Sequence, residues 1–153
     1  SDKLIEQTGI IGEKIEIGNF QKLSGKHIGG YVHAGNKIAA MVALSDSLTF
    51  SEEVSKNVAM QVAAMNPLAL NENSVDSSIV EKETEIIKEQ LVKEGRPENI
   101  IDNIIVGKLK RFFKDNTLVK QPYIKDSKVS VEDYVKSTDK DLNITSFVRV
   151  SLV

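Results

Sequence analysis

The residues with the most chemical promise are two histidines, His27 and His33, in the stretch "KHIGGYVHAGNKIAAMVAL" at residues 26–44. An imidazole can hold a metal, move a proton or contact another molecule, and its neighbours decide which. The two lie six residues apart, on one face if the strand is unbroken, but no carboxylate nearby in the sequence completes a third metal ligand. No serine or acid partner can be placed beside His33 to make it a general base. "GGYVHAG" has neither the lysine spacing of a P-loop nor the G-x-G-x-x-G form, and no G-x-S-x-G elbow or H-E-x-x-H pair occurs. The chain has no cysteine, which excludes disulfides, thiol catalysis and zinc–thiolate sites. Glu81, Glu83, Glu85 and Glu89 read most simply as the solvated face of a helix. The expectation is no catalytic residue, no metal and no cofactor, which turns the reading from catalysis toward binding.

At 153 residues the chain fits one domain with a real core. Its 20 lysines and arginines are matched by 22 aspartates and glutamates, so a nucleic-acid partner held by charge is not expected. No apolar run approaches the ~20 residues that span a bilayer, and no membrane association is expected. The absence of cysteine fits a reducing, cytoplasmic setting.

The elements that would position His33 follow from periodicity. "EKIEIGNFQKL" alternates Ile15 and Ile17 with Lys14 and Glu16, as a half-buried strand does. "GGYVHAGNKIAAMVAL" supplies a second strand, with an apolar tail from Ile38 to Leu44 and a turn or bulge at Gly35–Asn36. "NITSFVRVSLV" supplies a third, with Ile144, Val148, Val150 and Leu152 on one face and Thr145, Arg149 and Ser151 on the other. Phe147 breaks that polar face. Between the second and third strands the period becomes helical. Val54, Val58, Met60, Gln61, Val62 and Met65 mark one helix, with Thr49 or Ser51 as its cap, Glu52 and Glu53 in its first turn and Asn66–Pro67 as its stop. A short helix "SVEDYVKS" follows a capping Ser130 or Ser127.

The longest signal lies between these. Apolar residues fall at Ile79, Val80, Ile86, Ile87 and Leu91, then at Ile100, Ile101, Ile104, Ile105, Leu109 and Phe112, with Gly95-Arg96-Pro97 in the gap. Glycine past one helix and proline opening the next predict an antiparallel hairpin, each arm about 17–19 residues and roughly 25–28 Å long. Residues 76–94 carry six acids and three lysines, whereas 98–114 carry four bases and two acids, so the arms have opposite charge. The stripes at 86/87, 100/101 and 104/105 are wider than a two-helix seam requires. The hairpin therefore either lies on the sheet or projects and meets another molecule.

Four of these stretches carry a resemblance. "YVHAGNKIAAMVAL", "VAMQVAAMNP", "EGRPENIIDNIIVGKLKRFFKDNTLVKQPYIKD" and "FVRVSL", preceded by "IGEKIEI", follow in order the core of the bacterial elongation factor Ts family, from about Ile11 to Leu152. The resemblance implies a cytoplasmic guanine-nucleotide exchange factor of protein synthesis rather than an enzyme. Such a factor binds the GDP form of elongation factor Tu and loosens the magnesium and phosphate contacts, so that GDP leaves. The family fold has an N-terminal helical module and a core of two similar α+β subdomains, with a coiled-coil hairpin inserted in the second. This sequence resembles the second subdomain. The expectation is thus an α+β fold, a small antiparallel sheet with packed helices and an inserted antiparallel helical hairpin. Residues 1–74 and 120–153 would form the α+β part and 75–119 the hairpin.

By the same resemblance, His33 of "YVHAG" is a contact for the partner's nucleotide-binding domain. Ile11 of "IGEK" and the pair Ile124–Lys125 after "QPY" are further contacts. From the residues alone, Ile11 and Ile124 read as core packing. Many family members have histidine where "VAMQVAA" has Gln61, which puts the role of that position in doubt. The Thr-Asp-Phe-Val motif that the family places near the partner's magnesium site is absent, as is the N-terminal module. The chain is therefore expected to be a fragment that supplies partner binding rather than the exchange wedge. The alternative is an oligomerisation module that pairs through its hairpin.

Overall fold

Gly35 and Asn36 take left-handed backbone angles, φ 90° and 56°, which these two residue types tolerate best. They reverse the chain, and the turn closes with Asn36 N–H donating to the His33 carbonyl (3.0 Å) and His33 N–H donating to that of Ile38 (2.8 Å). Of the turn or bulge expected at Gly35–Asn36 the structure has the turn, and the stretch is a hairpin of β1 (His27–Val32) and β2 (Ile38–Leu44). The structure, a computed structural model, describes residues 2–47 and 52–152; Thr49 and Ser51, the expected caps, lie outside them. Strand β5 (Ile144–Ser151) pairs antiparallel with the other side of β2, giving the sheet order β1-β2-β5.

A bulge corrects the expected faces of β5. Leu44 pairs with Ile144 but Ala43 pairs with Ser146, so Thr145 is an extra residue and the alternation shifts by one. Ile144 and Phe147 consequently share the core side, and Arg149 Nε donates to the Ala63 carbonyl on the covering helix (3.3 Å). Val150 and Leu152, expected beside Ile144, are exposed.

That covering helix is α2 (Glu52–Met65), with Glu52 and Glu53 in its first turn. It ends where Asn66, before Pro67, turns left-handed at φ 45°. Ser55 rests on Gly29 of β1, and Val58, Ala59 and Val62 are fully buried. Met65, expected on the buried stripe, is exposed. The opposite side of α2 is covered by a two-stranded sheet, β3 (Pro122–Tyr123) with β4 (Asp126–Ser130), and by α5 (Val131–Thr138). Tyr123, Val131 and Val135 belong to the same core as Val42 and Leu44. Helix α5 starts on a capping box: Ser130 Oγ accepts from Asp133 N–H, and the Asp133 carboxylate accepts from Ser130 N–H.

The arms of the hairpin are α3 (Ser77–Lys93) and α4 (Glu98–Asn116). Gly95 takes φ 72° between them. Ile87, Leu91, Ile101 and Ile105 form a small core of their own, separate from the sheet core. Ile86, Ile79, Ile100, Val92 and Val106 remain exposed. Among the described residues the hairpin's ion pairs are Glu89–Lys93 and Arg111–Asp115 within single arms and Glu94–Arg96 in the turn between them, so the opposite charge of the arms does not become cross-seam bridges. The root is stapled: Leu68 N–H donates to the Asn116 carbonyl (2.9 Å), Leu118 N–H to Ala69 (2.9 Å) and Val119 N–H to Leu70 (3.1 Å).

Residues 13–23 are the main correction. They form no strand, and Phe20 among them is 84% exposed. A strand is stabilised by cross-strand pairs, and these residues pair with neither sheet. They are preceded instead by a helix that was not expected, α1 (Asp2–Ile11), which buries none of its residues.

Two outcomes follow from this packing. A Cβ added at Gly29 would sit 2.5 Å from the carbonyl carbon of Ser55, whereas at Gly30 nothing lies closer than 4.0 Å. In denaturant titrations Gly29→Ala should cost about 1–3 kcal/mol, and Gly30→Ala should stay within about 0.5 kcal/mol; equal costs would contradict the packing of α2 on β1. The second concerns acid. The Lys136 ammonium, and then that of Lys120, hold the Glu132 carboxyl below its ordinary value of 4.5. A depressed folded value means that the stabilisation is full above the unfolded value and is lost as pH falls through the folded one. The melting-temperature gap between the protein and Glu132→Gln should therefore be present at neutral pH and close as pH falls below the ordinary glutamate value. A gap that widens in acid would contradict it.

Candidate functional site

His33 lies just past the end of β1, exposed, in the turn fixed by Gly35 and Asn36. Its Nδ1 lies 3.3 Å from the Tyr31 hydroxyl, with the two rings tilted at 58°, so the imidazole is propped from its own strand. His27 is at the other end of β1, roughly 20 Å away along a six-residue strand. There its Nε2 is 3.7 Å from the Asp46 carboxylate. The two histidines cannot share one ion. Among the described residues no group of three or more His, Asp or Glu is placed to hold a metal.

Ile124 and Lys125 occupy the turn between β3 and β4, and α2 holds them. Gln61 is fully buried (0% exposed), and its Oε1 accepts from Ile124 N–H at 2.8 Å. Its Nε2 donates to Gln121 Oε1 and to the Pro122 carbonyl, both at 3.2 Å. One turn earlier, buried Asn57 accepts from Lys125 Nζ (2.7 Å) and donates to the Tyr134 hydroxyl (2.8 Å). The Tyr134 ring stacks on Tyr123, with centroids 4.1 Å apart and planes 11° from parallel. Burial, and then the hydrogen bond to Tyr134, push the Tyr123 phenol well above the ordinary tyrosine range, so it stays neutral at physiological pH. Gln121 Nε2 donates to the Asp115 carbonyl at the end of α4 (3.1 Å), which ties this network to the hairpin root.

Ile124 is 40% exposed, so the core-packing reading of its side chain fails: its backbone N–H is held by buried Gln61 while its side chain is exposed. Ile11 is 57% exposed at the end of α1, and the core reading fails there too. The structure thus brings Ile124 and Lys125 together on α2, puts His33 in the β1–β2 turn, and leaves Ile11 on a helix that buries nothing. Sequence reasoning missed Asn57, Gln121 and Tyr134, and left Gln61 without a role. The signal was available: Gln61 sits at a core position of α2's apolar pattern, where an amide must find partners.

A groove of about 470 Å³ opens between Leu70, Asn71, Lys120, Glu132, Lys136 and Asn143. Glu132 accepts from both lysines, at 2.6 and 3.2 Å, so their charge is already answered. No described helix is long and apolar enough to cross a membrane.

The comparisons with known proteins agree along the chain. The family model described as Elongation factor TS matches residues 1–153. Elongation factor Ts of Christiangramia forsetii is 60% identical over 151 residues, which is 99% of this chain and 55% of that protein. That of Flavobacterium psychrophilum is 59% identical over 152 residues, 99% of this chain and 56% of that protein. That of Porphyromonas gingivalis is 36% identical over 152 residues, again 99% and 55%. The chain spans about half the length of the curated relatives it matches. With one family model covering every residue, the chain belongs to the elongation factor Ts family.

Proposed function

We propose that this chain acts as part of a guanine-nucleotide exchange factor of protein synthesis, and that its own share of the work is to bind elongation factor Tu in the GDP form. The family match over residues 1–153 carries this reading. His33 and the Ile124–Lys125 pair are its contacts, with Ile11 a further one. The exposure of His33 and Ile124 on fixed backbone supports that assignment, because a few well-held residues carry most interface energy. No covalent chemistry is involved, and no cofactor is needed.

Binding and exchange are separate quantities. A ligand speeds GDP release only by favouring the open state of its partner over the closed one. The Thr-Asp-Phe-Val sequence does not occur in these 153 residues, so this chain supplies affinity rather than the wedge. His33→Ala should leave folding stability within about 0.5 kcal/mol and weaken binding to elongation factor Tu·GDP by about 2 kcal/mol, roughly 30-fold. In stopped flow, release of a fluorescent GDP from elongation factor Tu should accelerate little on adding the chain. Wild-type affinity of His33→Ala, or full stimulation of release by this chain, would overturn the assignment.

A second reading, an oligomerisation module, rests on the hairpin's exposed Ile79, Ile86, Ile100, Val92 and Val106. Sedimentation should then show mass rising with concentration, and Ile86→Glu should abolish the rise. A strict monomer at all concentrations removes this reading.

A further inference from the structure

The polar network on α2 carries more than its share of a core. Gln61 offers one carbonyl and one NH2 group, and their orientation is dictated. Turning the amide over would set NH2 against the Ile124 N–H and oxygen against two acceptors, Gln121 Oε1 and the Pro122 carbonyl. Gln121 is oriented in turn, because its Nε2 is used on the Asp115 carbonyl. A directed chain of hydrogen bonds therefore runs from the end of α4 through Gln121 and Gln61 to the backbone of Ile124.

The segment it ends on is anchored by buried Tyr123 and by the Lys125–Asn57 bond, but its own strand pairing is slight. Strand β3 is two residues long, and its pairing with β4 shifts register between Pro122 and Tyr123. Such short pairings are marginal alone. An apolar residue at position 61 would leave the Ile124 N–H and the Pro122 carbonyl without this partner, so the amide and the backbone it meets go together. A carboxamide does something an apolar side chain cannot: it sets a direction for a backbone N–H.

We infer that Gln61 is a positioning residue, whose buried carboxamide fixes residues 121–125 and so sets how Ile124 and Lys125 are presented to the partner. This rests on the reading of Ile124 and Lys125 as contacts, but the hold on the segment is a separate claim. Asn57 does the same for the Lys125 side chain, from the same face of α2 one turn away.

Gln61→Met keeps the length of the side chain and removes its hydrogen bonds. Amide exchange followed by NMR on the free chain should show Ile124 protection falling about tenfold or more, while amides of β2 keep theirs. The affinity for elongation factor Tu·GDP should fall about tenfold in Gln61→Met, yet less than about twofold when the same change is made on Ile124→Ala. Unchanged Ile124 protection, loss of protection spread evenly over the sheet, or an equal fold-loss in both backgrounds overturns the inference. If Ile124→Ala binds like the parent, the contact reading of Ile124 fails and the presentation role with it. The exchange measurement then still decides whether Gln61 holds the segment.

Discussion

The fold depends on the burial of α2 on both sides. Ser55, Ala59 and Val62 face the three-stranded sheet, while Asn57 and Gln61 face β3, β4 and α5. Glu52, Glu53 and Lys56 lie on the helix's exposed side, but Asn57 and Gln61 on its buried side have almost no solvent and must find partners within the protein. The partners are the backbone of Ile124, the Lys125 ammonium, the Tyr134 hydroxyl and Gln121. What would be a cost in a simple core becomes a set of fixed directions for a surface turn. Affinity for a partner needs residues that are exposed and already ordered, since ordering them on binding costs free energy. Exposed side chains on a backbone clamped from within meet both demands.

The hairpin obeys a different constraint. Its small core of Ile87, Leu91, Ile101 and Ile105 lies apart from the sheet core, and its root is tied to residues 68–70 by backbone hydrogen bonds. Asn116 and Thr117 side chains donate to the carbonyls of Phe112 and Phe113, and Gln121 to that of Asp115, so the exposed-carbonyl problem at the end of α4 is solved at the point of attachment. The same Gln121 reaches Gln61. The attachment of the hairpin and the support of the turn at Ile124 are thus one structure, not two.

Much of this was legible in the sequence, and the failures have physical causes. The α+β class, the helical hairpin, the stop at Asn66–Pro67 and the Ser130 cap follow from local signals: period, backbone preference and capping chemistry. The supposed strand at 13–23 has the right alternation but no strand to pair with, and pairing is a non-local property. The faces of β5 were misread because a single extra residue, Thr145, reverses the parity of all that follows it. At the site, His33 stood out by type, whereas Ile124 looked like core because an apolar residue type does not show that its side chain stands outside a backbone held from within. Gln61 was passed over because its value lies in three partners 60 or more residues away in the chain.

Under the proposed function, contact with elongation factor Tu runs through the turns held by the sheet and α2 rather than through the hairpin. Hydrogen–deuterium exchange of the whole chain, with and without elongation factor Tu·GDP, measures that directly. New protection is expected at residues 31–37 and 121–126, with exchange along residues 79–106 unchanged. Protection confined to the hairpin, with both turns exchanging as in the free chain, would contradict it.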